Sequence, residues 1–223
     1  NHWRLETHIV NLVMMLKSEA VSCELLGAAY TDHAEELRSL LAQYNGTVYE
    51  SFTGDECLSG LSSIQGTELC GIVEQMYSYE ELFAHTGHNK WAERLEVLGF
   101  NALPATLSED MWTHQYVQMV NQIACKKTMF MAPFSTNGPE SHLFGLEPNY
   151  GCCTANFNQA WPKLAWSIFR RTENGILAGM LLPSALHTAV GDAAVSVEID
   201  SDYPFRHAAS VTVTADRPVR FAL

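Results

Sequence analysis

Apolar residues recur at helical spacing through much of the first two thirds of the chain. The pattern runs from residue 8 to 30, and the segment 31–46 then opens on a Thr/Asp cap, carries acidic residues in its first turn and stops at Asn-Gly. It continues in residues 66–87 and 89–103. Short loops between paired helices are typical of a helical bundle or barrel, so the sequence predicts one here.

The pattern changes near residue 172, where short runs with period-two alternation replace the helical spacing. Gly, Asp or Pro separates these runs, and the last three read AAVSVEID, ASVTVTAD and VRFAL. The sequence therefore predicts a mainly α fold with an antiparallel β tail. The final run opens a strand without completing a β-domain, which predicts that the chain is a fragment of a longer protein.

The negative charge of the chain argues against nucleic acids and anionic membranes as binding partners. Lys and Arg total 13 against 25 Asp and Glu, a formal net charge of -12, which repels nucleic acid phosphates and anionic lipid surfaces. Apolar runs such as IVNLVMML are shorter than the roughly 20 residues of a membrane helix, and the first residues lack the pattern of a signal peptide. We expect a soluble protein that binds neither nucleic acid nor membrane, with its compartment left open.

The 6 cysteines include an adjacent pair, Cys152 and Cys153, directly after Gly151. Their spacing shows no dense framework of the kind found in small disulfide-rich proteins. Three interpretations of the pair stay open: a strained vicinal disulfide, two inert buried thiols, or two thiolates on one metal ion. We expect three cysteines that match no ligand or catalytic position of the motifs discussed below to be small buried apolar residues: Cys23, Cys57 and Cys125.

A metal site is compatible with the spacing of a second motif. Adjacent cysteines reach one ion only if the backbone turns between them, and Gly151 favours such a turn. Glu68 and Cys70 share an ion only at the first turn of a helix, where Thr67 would be the cap and the helix N-terminus favours thiolate. Tetrahedral Zn²⁺ accepts such a set of three sulfurs and one oxygen, here Glu68, Cys70, Cys152 and Cys153.

Several long motifs closely resemble one family of enzymes, the β-L-arabinofuranosidase-like glycoside hydrolases of family 127 and its relatives. They include FTGDECLSG, QGTELCGIVEQMYSYEEL, WAERLEVLGFNALPATLSEDMWTHQYVQMVNQ, TNGPESHLFGLEPNYGCCTANFNQAWPK and DYPFR. The resemblance covers nearly the whole chain. It implies part of an (α/α)6 barrel followed by the beginning of a β-sandwich domain. Residues 1–171 would be the second half of the barrel and 172–223 the truncated start of the sandwich, with another chain or chain segment completing the barrel.

The same resemblance implies a zinc ion held by one glutamate and three cysteines. The Glu-x-Cys motif corresponds to Glu68 and Cys70, and the cysteine pair to Cys152 and Cys153. Cys152 would be the nucleophile, kept ionised by zinc, and would release an arabinofuranosyl unit from a glycan or oligosaccharide with retention of configuration.

A glutamate would be the acid/base of that reaction. Glu56 matches a GDExLxG pattern and is preferred, whereas Glu50 matches an ESFT pattern. For either residue the alternative is a solvated loop carboxylate.

Substrate binding is expected from two further places. His8 resembles a His-x-x-Asn stretch near the sugar pocket of the family, although a helix histidine beside a polar neighbour is the alternative. After Trp112, the residues His114, Gln115 and Tyr116 form an aromatic and amide cluster of the type that binds sugars. Trp112 and Tyr116, four positions apart, could equally belong to the core.

Two other classes of function are kept beside the hydrolase. The first is a non-catalytic carbohydrate-binding or scaffold subunit derived from such an enzyme. The second is a metal-free cysteine hydrolase that pairs Cys152 with a histidine such as His114 or His142, although no local signature of such an enzyme accompanies the cysteine.

Overall fold

The structure, a computed structural model, describes residues 7–62, 64–122, 124–127, 140–145 and 150–223. In the motif that carries the cysteine pair, residues 136–139 and 146–149 lie outside the described residues. The chain divides into two compact units, Asn1–Leu164 and Ala165–Leu223. A mainly helical portion followed by a β portion was predicted, and this order is confirmed.

The helices follow the sequence pattern closely in two of the predicted segments and depart from it in two others. The helix predicted over 31–46 is α3, and that over 66–87 is α4, each followed directly by a glycine. The segment 8–30 forms two helices, α1 and α2, rather than one, and 89–103 forms α5 followed by a short π-helix at Leu98–Ala102. The helices are α1 Ile9–Met15, α2 Ser18–Leu26, α3 His33–Asn45, α4 Leu69–Thr86, α5 Asn89–Val97 and α6 Gly151–Ser167.

Helix α4 forms the centre of the first unit. Its apolar residues Ile72, Val73, Met76, Tyr79 and Leu82 are each at most 1% exposed. Helices α1, α2 and α5 contact it. Because α4 is buried on most of its sides, its first turn is held in place by the core of this unit.

Short strands bring several loops to that first turn. Strand β1 (Thr67–Glu68) pairs antiparallel with β2 (Val117–Gln118). Gly54 bridges to β1, and His114 bridges to Gly145. These backbone pairings gather segments that are far apart in sequence around the start of α4.

The second unit is built from antiparallel strands. One sheet pairs β3 with β4, and the other has the order β5, β6, β7. In β6 alternate residues are buried, as the period-two pattern predicts, and they pack with residues of β4. The strands are β3 Phe169–Thr172, β4 Gly175–Ala178, β5 Ser184–Val190, β6 Ala193–Ser201 and β7 Ala209–Ala215.

The last predicted run, VRFAL, forms no strand of its own. Its β-type backbone pairing consists of one isolated bridge, between Ala222 and Gly175. The bridge brings backbone atoms so close that a Cβ at Gly175 would lie 2.1 Å from the Ala222 carbonyl oxygen, which only glycine avoids. In the described part of the chain, the helices are all too short or too polar to cross a membrane.

Candidate metal centre and catalytic site

Two helix N-termini meet at the motifs that the sequence singled out. Glu68 ends β1 and takes the cap position of α4, with Cys70 in the first turn. Cys152 and Cys153 lie in the first turn of α6. The expectation that Thr67 caps α4 is wrong, since Thr67 belongs to the strand that places Glu68. Both helices direct the positive ends of their dipoles at the sulfurs, which favours thiolate over thiol.

The four side chains form one cluster. One donor atom from each of Glu68, Cys70, Cys152 and Cys153 lies within 4.8 Å of all the others. The Cys153 sulfur is 3.4 Å from that of Cys70 and 4.0 Å from that of Cys152. Tetrahedral zinc with bonds of about 2.3 Å to sulfur requires sulfurs about 3.8 Å apart. The donor set and its spacing therefore fit a zinc ion.

The same distances exclude one interpretation of the cysteine pair. All the cysteines are free, and the 4.0 Å between Cys152 and Cys153 is far beyond the S–S bond of about 2.05 Å in a disulfide. The two residues also differ in exposure, because Cys153 is buried whereas Cys152 is exposed. The pair is thus neither a vicinal disulfide nor two equivalent buried thiols.

The electrostatics of the cluster distinguish the three sulfurs. A hydrogen bond with Cys153 lowers the pKa of Cys152 to about 6. The same bond, together with that to Cys70 and burial, raises the pKa of Cys153 above its usual range. At Cys70 the hydrogen bond with Cys153 lowers the pKa, but burial and the Glu68 carboxylate more than offset it, so the net shift is upward. Cys152 therefore ionises first, and it is the sulfur that faces solvent.

His8 lies between Glu68, a member of the cluster, and a second carboxylate, Glu56. Its Nε2 is 2.8 Å from Oε2 of Glu68, and its Nδ1 is 3.6 Å from Oε2 of Glu56. The hydrogen bond to Glu68 is the main cause of the raised pKa of His8. Glu68 is 1% exposed and Glu56 is 58% exposed. Glu56 is therefore the carboxylate at the open side of this group.

Glu50 lies in a different cluster. Its carboxylate is 3.2 Å from Nη1 of Arg38 and 3.8 Å from Nε of Arg94. Its backbone carbonyl accepts a hydrogen bond of 2.7 Å from Gln75. The structure thus brings Glu56 to His8 and Glu68 and holds Glu50 between two arginines.

The two arginines share a second glutamate, Glu35. Its carboxylate accepts hydrogen bonds from Arg38 and Arg94 and lies 3.3 Å from Lys90. Burial raises the pKa of Glu35, but the hydrogen bonds from Arg94 and Arg38 outweigh burial and lower it to about 2. This network ties α3 to α5 and carries none of the predicted metal ligands.

The predicted sugar-binding cluster is divided between two cavities. His114 and Tyr116 line a cavity of about 130 Å³ together with Glu140 and Tyr150. The ring of Tyr116 stacks on that of Tyr150, with centroids 4.3 Å apart. Gln115 points to another cavity, of about 570 Å³. Extended backbone alternates its side chains, which separates Gln115 from its neighbours.

Gln115 is committed to backbone and sulfur contacts. It is 2% exposed, and its Nε2 donates to the His142 carbonyl at 2.6 Å and to the Cys125 sulfur at 3.3 Å. Tyr116 is 3% exposed and Trp112 is 73% exposed. Tyr116 is thus buried at the wall of the smaller cavity. A core position is wrong for Trp112, since no helix forms there to place the two residues on one face.

The histidines proposed for a metal-free cysteine hydrolase are turned to other groups. Nε2 of His114 is 2.8 Å from the Thr154 hydroxyl, and its Nδ1 is 3.3 Å from the Gln115 carbonyl. Nε2 of His142 is 2.7 Å from the Lys126 carbonyl. Within the described ranges, the hydrogen bonds of Cys152 involve the sulfurs of Cys153 and Cys70 and the backbone of Cys153, and none goes to a histidine. The geometry gives no support to a Cys-His pair.

The expectation that the remaining cysteines are buried is wrong. Cys23 and Cys57 are partly exposed, and Cys125 is exposed. The amides of Gln115 and Gln122 donate to the Cys125 sulfur at the edge of the larger cavity, so it is a hydrogen-bond acceptor rather than a core residue.

Two residues beside the cluster were missed in the sequence. Asp55 is 5% exposed and accepts a hydrogen bond of 3.0 Å from the Cys57 amide, next to Glu56. Tyr150 stacks on Tyr116. Each lies inside one of the quoted motifs, which was the available signal, but a buried aspartate and a stacked tyrosine depend on tertiary contacts.

Comparison with known proteins identifies the sequence family. Residues 33–165 match the family described as Beta-L-arabinofuranosidase, GH127 catalytic domain. A comparison with curated proteins finds no significant match.

Solved structures share the fold. One is a GH127 β-L-arabinofuranosidase from Geobacillus stearothermophilus T6, with a TM-score of 0.65 and 16% identity over 94% of this chain and 33% of that one. A GH127 β-arabinofuranosidase has a TM-score of 0.75 and 16% identity over 93% of this chain and 31% of that one. A structure described as a glycoside hydrolase has a TM-score of 0.74 and 14% identity over 96% of this chain and 38% of that one. The chain spans about a third of the length of these proteins.

Proposed function

The chain belongs to the GH127 family of β-L-arabinofuranosidase catalytic domains. We propose that it forms the catalytic part of a retaining glycoside hydrolase that releases β-L-arabinofuranosyl units. The resemblance seen in the sequence motifs is confirmed by the family match. The observation that carries the proposal is the cluster of Glu68, Cys70, Cys152 and Cys153 at two helix N-termini.

Zinc is the proposed cofactor, and its ligands would be those four residues. Three sulfurs and one carboxylate oxygen are a donor set that zinc accepts, and thiolate ligands disfavour magnesium and calcium. When bound, zinc would keep the Cys152 sulfur ionised near neutral pH and fix its direction.

The proposed reaction has two displacements, both at the anomeric carbon. The Cys152 thiolate forms a bond to that carbon while the bond to the leaving oxygen breaks, and a carboxylic acid gives its proton to that oxygen. The resulting carboxylate then takes a proton from water, whose oxygen attacks the same carbon and releases the thiolate. Two inversions give net retention. The lowered pKa and exposure of Cys152, against the burial of Cys153, support this division of roles.

Glu56 is the proposed acid/base. It is 58% exposed, which leaves its carboxyl free to meet a substrate, and it lies 3.6 Å from His8 at the edge of the cluster. Glu50 is disfavoured because its carboxylate pairs with Arg38 and Arg94. To reach a leaving group, its carboxylate would have to break both of these ion pairs.

The substrate would be an arabinofuranosyl-containing glycan or oligosaccharide. The cavity lined by His114, Tyr116 and Tyr150 is the proposed site for its groups, because Tyr116 and Tyr150 supply aromatic surface with polar ends. We assign no sugar contact to Gln115. The helices of the first unit would form part of an (α/α)6 barrel and the strands of the second unit would begin a β-sandwich, with further chain completing the sugar pocket.

The experiment is hydrolysis of an aryl β-L-arabinofuranoside followed by proton NMR of the first-formed sugar. We expect the β-anomer to appear before mutarotation, and Cys125→Ser, which changes an exposed thiol outside the cluster, to behave like wild type. An initial α-anomer would contradict the double displacement. Binding of the glycoside without turnover would favour a carbohydrate-binding subunit instead.

A further inference from the structure

The Glu68 carboxylate has a specific hydrogen-bond partner. It is 1% exposed, and Nε2 of His8 lies 2.8 Å from its Oε2. Among the described residues, this is the side-chain hydrogen bond that the carboxylate accepts. As a metal ligand the carboxylate would be ionised and would only accept hydrogen bonds, so Nε2 would be the donor of this one.

The backbone around His8 is fixed against both segments that carry the site. His8 takes the cap position of α1, and the amide of the next residue, Ile9, donates to the Asp55 carbonyl at 3.0 Å. The Ile9 side chain then sits against two glycines. A Cβ at Gly54 would lie 3.0 Å from Ile9 Cβ, and one at Gly71 would lie 3.5 Å from Ile9 Cγ2.

These contacts of Ile9 fix the backbone from which the His8 side chain extends. Gly54 has a φ of 143°, a conformation that side chains rarely adopt, so the close approach of Ile9 depends on glycine there. Gly71 lies in the first turn of α4, immediately after Cys70. The chain therefore anchors His8 to the loop that carries Glu56 and to the helix start that carries Glu68 and Cys70.

We infer that His8 is a positioning residue that holds the Glu68 carboxylate in the orientation in which its free oxygen binds the metal. The inference rests on the proposed metal site and adds a residue to it. A hydrogen bond to one carboxylate oxygen fixes the plane of the group and leaves the other oxygen available as a ligand. Since Nδ1 of the same ring faces Glu56 at 3.6 Å, one side chain sets the spacing between the metal ligand and the proposed acid/base.

A role in sugar binding alone makes a different demand on His8. A histidine that serves only the substrate would need its ring nitrogens free for hydroxyl groups, yet Nε2 is used on Glu68, whose side chain is 1% exposed. The two roles therefore differ in one measurable quantity, the zinc affinity of the protein in the absence of sugar.

The experiment compares zinc affinities of the whole chain by competition with a chromophoric chelator. The matched variants are His8→Gln, whose amide keeps a donor, and His8→Met, which is similar in size and has none. We expect His8→Met to bind zinc about 10- to 100-fold more weakly than wild type, and His8→Gln to recover most of that loss. The control is His33→Gln, which changes an exposed histidine 2.9 Å from Glu36.

A second measurement uses only the wild-type protein, so it does not depend on whether the His8 variants fold. Zinc titration of wild type, followed by nitrogen-15 NMR of the histidine rings, should shift the His8 resonances and leave those of His33 unchanged, because His8 contacts the proposed ligand Glu68 whereas His33 contacts Glu36. Absence of a His8 shift on a zinc-bound chain would overturn the inference.

The outcomes separate this inference from the proposed function. If wild type binds zinc and His8→Met binds it equally well, with KM for an arabinofuranoside raised, His8 is a sugar-binding residue and the inference fails alone. If wild type binds no zinc, the metal site fails and the inference with it. Weak zinc binding by His8→Met, restored by His8→Gln, supports the inference whether or not the chain turns over substrate.

Discussion

Removing zinc should lower the melting temperature of the helical unit by about 5 to 11 °C. The proposed ligands join the start of α4 to the start of α6, where Cys70 and Cys153 are 83 positions apart in sequence and their sulfurs 3.4 Å apart. Free zinc at about 100 times its dissociation constant stabilises the folded state by about 2.7 kcal/mol. Each kcal/mol shifts the melting temperature of a unit of this size by about 2–4 °C.

Differential scanning calorimetry in excess chelator and in buffered free zinc measures this shift. Cys153→Ala should melt at nearly the same temperature in both conditions, because it lacks the central sulfur of the cluster. Cys125→Ser should keep the full wild-type shift, since Cys125 is exposed and outside the cluster. A wild-type melting temperature that is the same with zinc and with chelator would refute the claim that these residues form a metal site across the two helix starts.

Three further predictions follow from the site and its surroundings. Cys152→Ser should abolish turnover even where zinc is retained, whereas Cys153→Ser should chiefly weaken zinc binding; steady-state kinetics and zinc analysis of both variants decide this. Glu56→Gln should lower kcat by about 10²- to 10⁴-fold for substrates with poor leaving groups and by less for activated aryl glycosides, whereas equal losses for both would exclude it as the acid. Burial favours a raised pKa at Glu35, but hydrogen bonds, chiefly from Arg94, lower it to about 2, so this contribution to stability is complete above about pH 4.5 and is lost as pH falls towards 2. Urea unfolding of wild type and Arg94→Met should therefore differ at pH 6 and converge near pH 2, and a constant difference would contradict the assignment.

Local signals predicted some elements well and failed for others. Helix α4 was predictable because its apolar period runs unbroken to Gly87, which takes the left-handed conformation that ends it. Helix α6 was not identified, since Gly151 reads as a turn and Pro162 lies inside the helix. A helix with a proline in its interior needs tertiary packing, here the burial of residues such as Leu164, which no local pattern contains.

The ligand set was predictable from sequence, whereas its support was not. Glu68 and Cys70 were placed together by their two-residue spacing and the start of an apolar helix. His8 is 60 positions from Glu68 in sequence, and its contact with that residue depends on the close approach of Ile9 to Gly54 and Gly71. The choice between Glu56 and Glu50 likewise needed tertiary structure, because the arginines that hold Glu50 lie on α3 and α5.

The most direct measurement of the central claim is mass spectrometry of the chain after reaction with a mechanism-based β-L-arabinofuranosyl electrophile. The thiolate with the lowered pKa and solvent exposure is Cys152, so peptide mapping should find one sugar adduct, on Cys152, and none in the Cys152→Ser variant. An adduct on Cys153, or on a carboxylate such as Glu50 or Glu56, would contradict the account.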